Sequence, residues 1–338
     1  MKIGIHNSGG FSNNWIKYCK ENNIEYKIVN AYDNDIIAQL KDCDAFMWHF
    51  HHADYRDMQF AKSLLFSLKE MGLKVFPDFN TCWHFDDKIA QKYLLESIGA
   101  PLVPTYVFYT KNDAMEWAKS TTFPKVFKLR GGAGASNVKL AQTRKDAEKL
   151  IKQCFGKGFR QFRYKEHIKE NYKKIRLGKV SLRAVIRPLY YGLFKKYPTE
   201  FDHYHGKEIG YAYFQEFIPE NYFDIRICVV GDKAFGLKRY TRENDFRASG
   251  SGNISYSKAD IDERCVSIAF DVAKKLDTQS IALDFVFDSN NNPLIIEISY
   301  GYAVAAYYAC EGYWTTDMRW HAGTNFDFCG WMVKNLLD

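Results

Sequence analysis

A glycine-rich stretch between two apolar runs is the part of this sequence best suited to binding phosphate. It reads KLRGGAGASNVKL over residues 128–140, with Lys128 standing before Gly131, Gly132 and Gly134. Glycines leave backbone N–H groups open to phosphate oxygens, which a Cβ would obstruct. A Walker-type loop would end in Gly-Lys-Ser/Thr, whereas this stretch ends in Ala-Ser-Asn. The position of the lysine predicts a nucleotide site of another kind, with an ordinary glycine hairpin as the alternative.

Basic residues on two neighbouring strands and the loop that follows them offer positive charge for a phosphoryl group. They are Arg226, Lys238, Arg239 and Arg247. Such a cluster is suited to stabilising phosphoryl and oxyanion charge as it develops. A lone arginine in this context would more often be a surface residue.

Three histidines in four positions follow a strand-like run. His49, His51 and His52 lie in MWHFHHADYRD. A zinc site needs a fourth ligand and fixed geometry, so metal binding is the less favoured interpretation. Hydrogen bonding to a substrate, or simple exposure, is preferred.

Length and composition indicate a multi-unit globular protein. A chain of 338 residues, 46% of them hydrophobic, is long enough for two or three packed units. The aromatic share of 17% fits thick cores or stacking surfaces. The eight cysteines are scattered without a Cys-x-x-Cys pair, which excludes a disulfide scaffold and a zinc knuckle and suits a reducing compartment.

The start of the chain and its apolar runs bear on location. MKIGIHNSGG turns polar too early for a signal peptide, and no apolar run approaches the length of a membrane span. The sequence therefore predicts a cytoplasmic protein.

The order of elements predicts α/β architecture followed by α+β architecture. KIGIH, EYKIVNA, DAFMWHF and LKVFPD alternate with helical spacers, which is typical of a small open parallel sheet. FPKVFKLRGGAGASNVKLAQT predicts a β-hairpin, and the later runs AYFQEFIP, DIRICVVGDKAFGLKRYTR and ALDFVFDSNNNPLIIEIS predict an antiparallel sheet. The loop HNSGG after the first strand is placed to receive a ligand, although it lacks the dinucleotide fingerprint.

Taken in order, these pieces resemble the ATP-grasp ligase superfamily, which contains D-alanine–D-alanine ligase, glutathione synthetase and the ribosomal-protein glutamate ligases. The resemblance runs from DDK at residue 86 to EIS at residue 299, outside the segment 156–210. It implies a pre-ATP-grasp domain over 1–85, a first lobe over 86–210 and a second lobe over 211–338. In that fold two lobes hold ATP between them, and the glycine loop closes over it.

The resemblance also assigns residues that contact the nucleotide. Lys88 matches the lysine that opens the first lobe, and Lys128 the one that reaches the α- and β-phosphates. The remaining cofactor-binding residues implied are Gly131, Gly132, Gly134, Gln215, Glu216, Phe217, Ile218, Asp224 and Lys238. Phe217 and Ile218 would read the adenine edge through backbone groups, and Asp224 would lie near the ribose or the second lysine.

Metal and catalytic residues follow from the same likeness. Asp284 and Glu297 match the family's metal carboxylates, whose oxygens Mg²⁺ prefers. The family usually has Asn two residues after the glutamate, where this chain has Ser299, a shorter and weaker ligand. The catalytic residues implied are Arg226, Arg239 and Arg247, of which Arg226 and Arg247 would hold the transferring phosphoryl group and the tetrahedral oxyanion.

Together these residues imply a carboxylate–amine ligase that uses ATP and Mg²⁺ and forms an amide through an acyl phosphate. No Ser/His/Asp or Cys/His arrangement suggests a side-chain nucleophile. Two other functions stay open: an ATP-grasp phosphotransferase, and a non-catalytic protein that binds ATP or a polyanion.

Residues 156–210 carry an unusual excess of positive charge. They contain fourteen Lys and Arg against five Asp and Glu, a net charge of +9, whereas the whole chain carries +7. Interleaved apolar residues suit a surface that meets an anion with an apolar or sugar portion. We interpret the segment as docking a carboxylate acceptor such as an acidic glycan at the inner face of the membrane, with a solvated basic face as the alternative. No nucleic-acid module is present.

Overall fold

Strands and helices alternate along the chain in the computed structural model, which describes residues 1–132, 137–160, 200–242 and 245–338. The strands are β1 Lys2–His6, β2 Glu25–Val29, β3 Ala45–Trp48, β4 Lys74–Phe76, β5 Thr105–Phe108, β6 Lys125–Lys128, β7 Val138–Ala141, β8 Ala212–Glu216, β9 Phe223–Val230, β10 Lys233–Tyr240, β11 Ile254–Ser255, β12 Ser280–Phe287, β13 Pro293–Ser299, β14 Gly312–Thr315 and β15 Trp320–Ala322. The helices are α1 Phe11–Glu21, α2 Ile36–Gln39, α3 Tyr55–Glu70, α4 Phe79–Cys82, α5 Lys88–Ser97, α6 Lys111–Ser120, α7 Arg144–Cys154, α8 Glu200–His205, α9 Glu263–Leu276 and α10 Phe328–Leu337.

The chain divides into two compact units. The first contains Met1–His52, Arg56–Val103 and Ile218–Asp338, and the second contains Ala53–Tyr55 and Pro104–Phe217. The finer division at residues 85 and 210 stays a prediction. Within the described ranges, no helix has both the length and the apolar character needed to cross a bilayer.

A four-stranded parallel sheet in the first unit has the order β2-β1-β3-β4. Its register pairs Ile3 with Tyr26 on one side and with Ala45 on the other. β3 is buried along its length, because Phe46 packs in the core on one face and Met47 in the core on the other. The open parallel sheet predicted from the sequence is confirmed.

The first unit also contains a seven-stranded antiparallel sheet. Its order is β13-β12-β9-β10-β14-β15, and β11 pairs with the outer part of β10. Helix α9 covers one face, where Val266 and Val272 share a core with Ile227 and Leu283. The other face is apolar where Phe235 lies, in the core shared with α1 and α10, and becomes charged further along the same strands.

An aromatic cluster around Phe235 joins this sheet to the C-terminal part of the chain. The Phe235 ring lies 4.9 Å from Phe328, 5.2 Å from Phe326 and 5.4 Å from Tyr307, measured between centroids. Residues beyond 299, where the resemblance ends, therefore complete the core of the first unit.

The second unit is built on a sheet of order β5-β8-β6-β7. Helices α6 and α7 pack on it, with Trp117 of α6 lying 4.9 Å from Phe214 of β8. Helix α7 begins at a capping box in which Thr143 and Asp146 satisfy each other's backbone N–H groups. The predicted hairpin is confirmed as β6 and β7, but Gly134 and most of the basic segment, residues 161–199, lie outside the described residues.

Phe235→Ala is expected to lower the free energy of unfolding by about 3–5 kcal/mol, because it empties a fully buried aromatic position. Chemical denaturation followed by tryptophan fluorescence measures the loss. Phe66→Ala is the control, since that side chain is 47% exposed and should change stability little. Equal losses in the two variants would contradict the packing described for the cluster.

Candidate functional site

Two carboxylates lie side by side on the antiparallel sheet. Asp284 of β12 is directly paired with Glu297 of β13, so both side chains leave the same face. Asp284 is 5% exposed, and the Glu297 side chain is 32% exposed. The positions that the sequence predicted as metal carboxylates are therefore adjacent.

Asp284 is enclosed by two arginines. Arg226 Nε and Nη2 donate to its two oxygens at 2.5 and 2.6 Å, and Arg239 Nη2 donates at 3.0 Å. Burial raises the pKa of the Asp284 carboxyl, but the two guanidinium groups outweigh burial and hold this pKa well below its usual range. Asp284 is therefore ionised throughout the physiological pH range.

A third carboxylate fixes the second arginine. Asp224 of β9 accepts from Arg239 Nε and Nη2 at 2.6 and 2.8 Å, and Asp224 is 5% exposed. Both of its oxygens are used by one guanidinium in a fork-to-fork pair. The predicted position of Asp224 near the ribose stays a prediction, whereas its pairing with Arg239 was not foreseen.

Glu297 is paired with a lysine from a helix. Lys88 Nζ lies 3.4 Å from Glu297 Oε1, and the Lys88 side chain is only 5% exposed. Asp87 caps helix α5 by accepting from the backbone N–H of Ala90 at 3.0 Å, which places Lys88 at the first helical position. The connected charges are called the charge row below. It consists of Asp224, Arg226, Arg239, Asp284, Glu297 and Lys88.

These side chains fit a magnesium–nucleotide complex. Mg²⁺ commonly takes one or two protein carboxylates and completes its shell with phosphate oxygens and water. Asp284 and Glu297 supply two carboxylates, and Arg226 and Arg239 supply cations beside them. Among the described residues no group of three or more His, Cys, Asp or Glu side chains is placed to hold a metal, so the remaining ligands would come from the nucleotide and water.

Ser299 lies two residues beyond Glu297 on β13 and thus faces the same side of the sheet. Its hydroxyl donates to the Gly301 carbonyl oxygen at 2.8 Å. The oxygen lone pairs are still able to coordinate a cation, so its role as a metal ligand stays a prediction.

Two of the predicted basic residues, Lys238 and Arg247, are not part of the charge row. Lys238 is next to Arg239 on β10 and therefore points to the opposite face, where its Nζ lies 4.0 Å from the centre of the Phe223 ring. On that face its Nζ also lies 3.8 Å from Asp260 Oδ1, and the predicted contact of Lys238 with the nucleotide stays a prediction. Arg247, in the loop after β10, is held by Asp245 at 2.7 Å.

In the second unit, Lys128 is held by a residue of β8. Its Nζ donates to Gln215 Oε1 at 2.7 Å, and Gln215 Nε2 donates to Thr105 Oγ1 at 3.1 Å. Lys128 is 7% exposed, so it is a buried cation hydrogen-bonded to an amide oxygen. This arrangement suits a phosphate contact, because the hydrogen bond to Gln215 fixes the Lys128 ammonium group without neutralising its charge.

The other predicted nucleotide residues of this region have varied surroundings. Glu216 accepts from Lys125 Nζ at 2.6 and 2.7 Å and from the Tyr106 hydroxyl at 2.9 Å, so its carboxylate is part of a sheet ion pair. Gly131 and Gly132 follow β6, and Gly132 has φ +99°. Phe217 and Ile218 come directly after β8, and their contact with adenine stays a prediction.

The three histidines lie at the carboxyl edge of the parallel sheet. His49 is buried and stacks on Phe11 at 4.2 Å between ring centroids, while the rings of His51 and His52 lie 4.3 Å apart. Burial lowers the pKa of His49 to about 3. Burial, His51 and Lys88 lower the pKa of His52 to about 4, against an opposing effect of Glu297. His49 and His52 are therefore neutral at pH 7, and the metal interpretation of the trio has no support among the described residues.

Comparisons with known proteins agree with this geometry. The profile of a RimK-like ATP-grasp domain matches residues 207–306. The alpha-aminoadipate–LysW ligase LysX of Saccharolobus solfataricus is 21% identical over 283 residues, which cover 81% of this chain and 83% of that protein.

Solved structures share the fold. The RimK domain ATP-grasp protein of Sphaerobacter thermophilus matches with a TM-score of 0.56 and 13% identity, over 100% of both chains. The biotin carboxylase domain of Hydrogenobacter thermophilus 2-oxoglutarate carboxylase, solved with MgADP, matches with a TM-score of 0.59 and 15% identity, over 99% of this chain and 69% of that one.

Asp284→Asn is expected to abolish turnover and also to destabilise the metal-free protein by about 3–5 kcal/mol, because it leaves the buried Arg239 and the mostly buried Arg226 without the carboxylate that they share. Denaturation without Mg²⁺ measures the second effect. Glu297→Gln is the control, since Glu297 is more exposed and has one cation partner at 3.4 Å. Unchanged stability of Asp284→Asn would contradict the charge row.

Lys128→Ala is expected to weaken ATP binding by about 1.5–3 kcal/mol, the usual contribution of one hydrogen bond to a charged group. Titration calorimetry with Mg·ATP measures the change. Lys111→Ala removes an exposed lysine of α6 and should bind ATP as the parent does. If Lys128→Ala retains full affinity, Lys128 does not contact the phosphates.

Proposed function

We propose that this chain is an ATP-grasp enzyme, an ATP-dependent ligase that joins a carboxylate to an amine, as its similarity to a RimK-like ATP-grasp domain and to LysX supports. The observation that carries the proposal is the charge row. It sets two adjacent carboxylates for a metal beside cations suited to phosphoryl and oxyanion charge.

The chemistry needs two steps without a side-chain nucleophile. An oxygen of the substrate carboxylate attacks the γ-phosphorus of ATP, the bond to the bridging oxygen breaks, and ADP leaves with the electron pair. The amine nitrogen then attacks the acyl carbon of the acyl phosphate, the bond from that carbon to the phosphate oxygen breaks, and phosphate leaves with the electron pair while the nitrogen loses a proton to phosphate or solvent. When bound, Mg²⁺ neutralises charge on the triphosphate.

The residues of the charge row have distinct proposed roles. Asp284 and Glu297 hold the metal, with Ser299 as a further oxygen ligand. Arg226 and Arg239 stabilise the transferring phosphoryl group and the tetrahedral oxyanion, and Arg247 of the following loop assists them. The fork-to-fork bonds of both sheet arginines keep their positive charges fixed before substrate arrives, so little reorganisation is needed.

For the nucleotide, Lys128 is proposed to contact the phosphates together with Gly131, Gly132 and Gly134. Backbone groups of Phe217 and Ile218 are proposed to meet the adenine. The buried hydrogen bond between Lys128 and Gln215 supports the first assignment, because it orients the lysine side chain in advance.

We propose small-molecule substrates with amino and carboxyl groups. The LysX relative is named for alpha-aminoadipate, which carries both. Dicarboxylic amino acids such as glutamate and α-aminoadipate are therefore the first probes to try, each as the acid and as the amine.

A finer proposal concerns the basic segment 156–210. Its net charge of +9 suits an acidic acceptor, such as an acidic glycan or its lipid-linked precursor. This part of the proposal rests on composition alone. The same positive charge would favour contact with an anionic membrane at its cytoplasmic face.

The test follows ADP, inorganic phosphate and product mass in mixtures of Mg·ATP with pairs of acids and amines. A ligase forms ADP, phosphate and an amide in equal amounts. A phosphorylated product without free phosphate would instead identify a phosphotransferase, and tight ATP binding without turnover would identify a binding protein. Glu297→Gln, prepared in parallel, controls for contaminating ATPases, because it removes one proposed metal carboxylate.

Neutralising five cations of the basic segment is expected to raise the KM of an acidic polymeric acceptor and to reduce the salt dependence of its binding. The substituted residues are Lys173, Lys174, Arg176, Lys195 and Lys196. ATP affinity should be unchanged, because none of the five is assigned to the nucleotide. If the variant binds every acidic polymer and anionic vesicle as the parent does, the acidic-acceptor proposal fails while the ligase proposal stands.

A further inference from the structure

Loops from three strands meet around the ring of His49. The Nδ1 atom faces Gly10 of the loop after β1, where an added Cβ would lie 2.9 Å away. The Nε2 atom faces Gly301 of the turn after β13, where an added Cβ would lie 3.4 Å away. Phe11 stacks on the same ring. The buried His49 side chain therefore packs between the edge of the parallel sheet and the turn that follows Glu297 and Ser299.

The backbone of His51, two residues further on, is held by a separate buried carboxylate. The backbone N–H of His51 donates to Asp57 Oδ2 at 2.6 Å, and the Tyr32 hydroxyl donates to the other oxygen of Asp57 at 2.5 Å. Asp57 is 2% exposed, so it is a fixed part of the core at the start of α3. The backbone of the turn that carries His51 and His52 is therefore held in a fixed position by the core.

This turn lies next to the charge row. The Phe85 ring lies 6.1 Å from the His52 ring, and the same Phe85 ring lies 3.4 Å from where a Cβ on Gly301 would stand, in the turn after Glu297 and Ser299. His51 is exposed, and its ring is 4.3 Å from that of His52. Phe85 thus connects the turn that carries His51 and His52 to the turn that follows Glu297 and Ser299.

We infer that His51 and His52 form the binding subsite for the amine substrate, whose N–H groups they receive as hydrogen-bond acceptors. The inference rests on the proposed function. An imidazole ring nitrogen that carries no proton accepts one N–H hydrogen bond from an amine and adds no charge to the site. The acid substrate has a different requirement, because its carboxylate and the acyl phosphate need cations, and those stand on the sheet face as Arg226 and Arg239.

The test compares two nucleophiles on the same acyl phosphate. Hydroxylamine is small and traps acyl phosphates directly, so it does not need a subsite for the rest of an amine substrate. The double variant His51→Ala/His52→Ala is expected to form hydroxamate from glutamate and Mg·ATP at the parental rate. With an amino acid as the amine, its KM for that amine should rise about tenfold, the effect of losing one or two hydrogen bonds.

Matched variants separate binding from folding. His52→Asn keeps a hydrogen-bonding group at the position and should recover part of the amine affinity. His321→Ala removes an exposed histidine that stacks on Tyr313, far from these residues in the sequence, and should leave both reactions unchanged. Thermal melting of each variant checks folding, and the single substitutions replace the double variant if it melts early.

The outcomes distinguish this inference from the function on which it rests. If the parent forms no hydroxamate from any acid, the ligase proposal and the inference fail together. If the parent forms hydroxamate but the amine KM of the double variant is unmoved, only the amine subsite is wrong. A rise in the KM of the acid, with the amine unaffected, would also overturn the inference, because it would assign the histidines to the acid.

Discussion

The fork-to-fork bonds between Asp284 and Arg226 are the interaction on which the charged face of the first unit depends. Both groups are largely removed from water, and an isolated buried ion would cost several kcal/mol. The cost is met because the charges alternate: Arg239 lies between Asp284 and Asp224, and Lys88 approaches Glu297. Three acidic and three basic side chains leave the row without net charge. A neutral row is stable on a largely buried face of the sheet, and its arginines are already in position to meet an anion.

The charges of the row are balanced only when the strands pair in this one register. A shift of a single residue on β9 would turn Asp224 and Arg226 to the face where Ile227 packs against α9. The apolar residues of the same strands prevent such a shift, since Ile225 and Ile227 are buried on that face and Cys228 on the other. Packing therefore fixes the positions at which the charges meet, and the charges in turn penalise any other packing.

Much of this arrangement follows from local sequence, and some of it does not. The two-residue turn Gly231-Asp232 places Val230 opposite Lys233, and counting back along both strands brings Asp224 opposite Arg239. Strand alternation likewise places Lys238 and Arg239 on opposite faces of the sheet. From the sequence alone we assign both to one cluster, because they are neighbours in the sequence. The pairing of Arg226 with Asp284 spans 58 residues, and no local rule gives it. The positions of Asp284 and Glu297 were predicted by resemblance, whereas the buried Asp57 beneath the histidine turn left no signal in the sequence.

The histidine turn and the charge row are supported by different parts of the core. Asp57 and Tyr32 hold the turn from the side of the parallel sheet, while the charge row depends on the pairing of β9, β10, β12 and β13. The fork-to-fork bonds of the row join residues of the sheet, Arg226 to Asp284 and Arg239 to Asp224, so substitutions at His51 and His52 are expected to leave those bonds intact. With the amine subsite that we infer, substitutions in the histidine turn would change which amine is accepted, while the ion pairs needed for phosphoryl transfer stay in place.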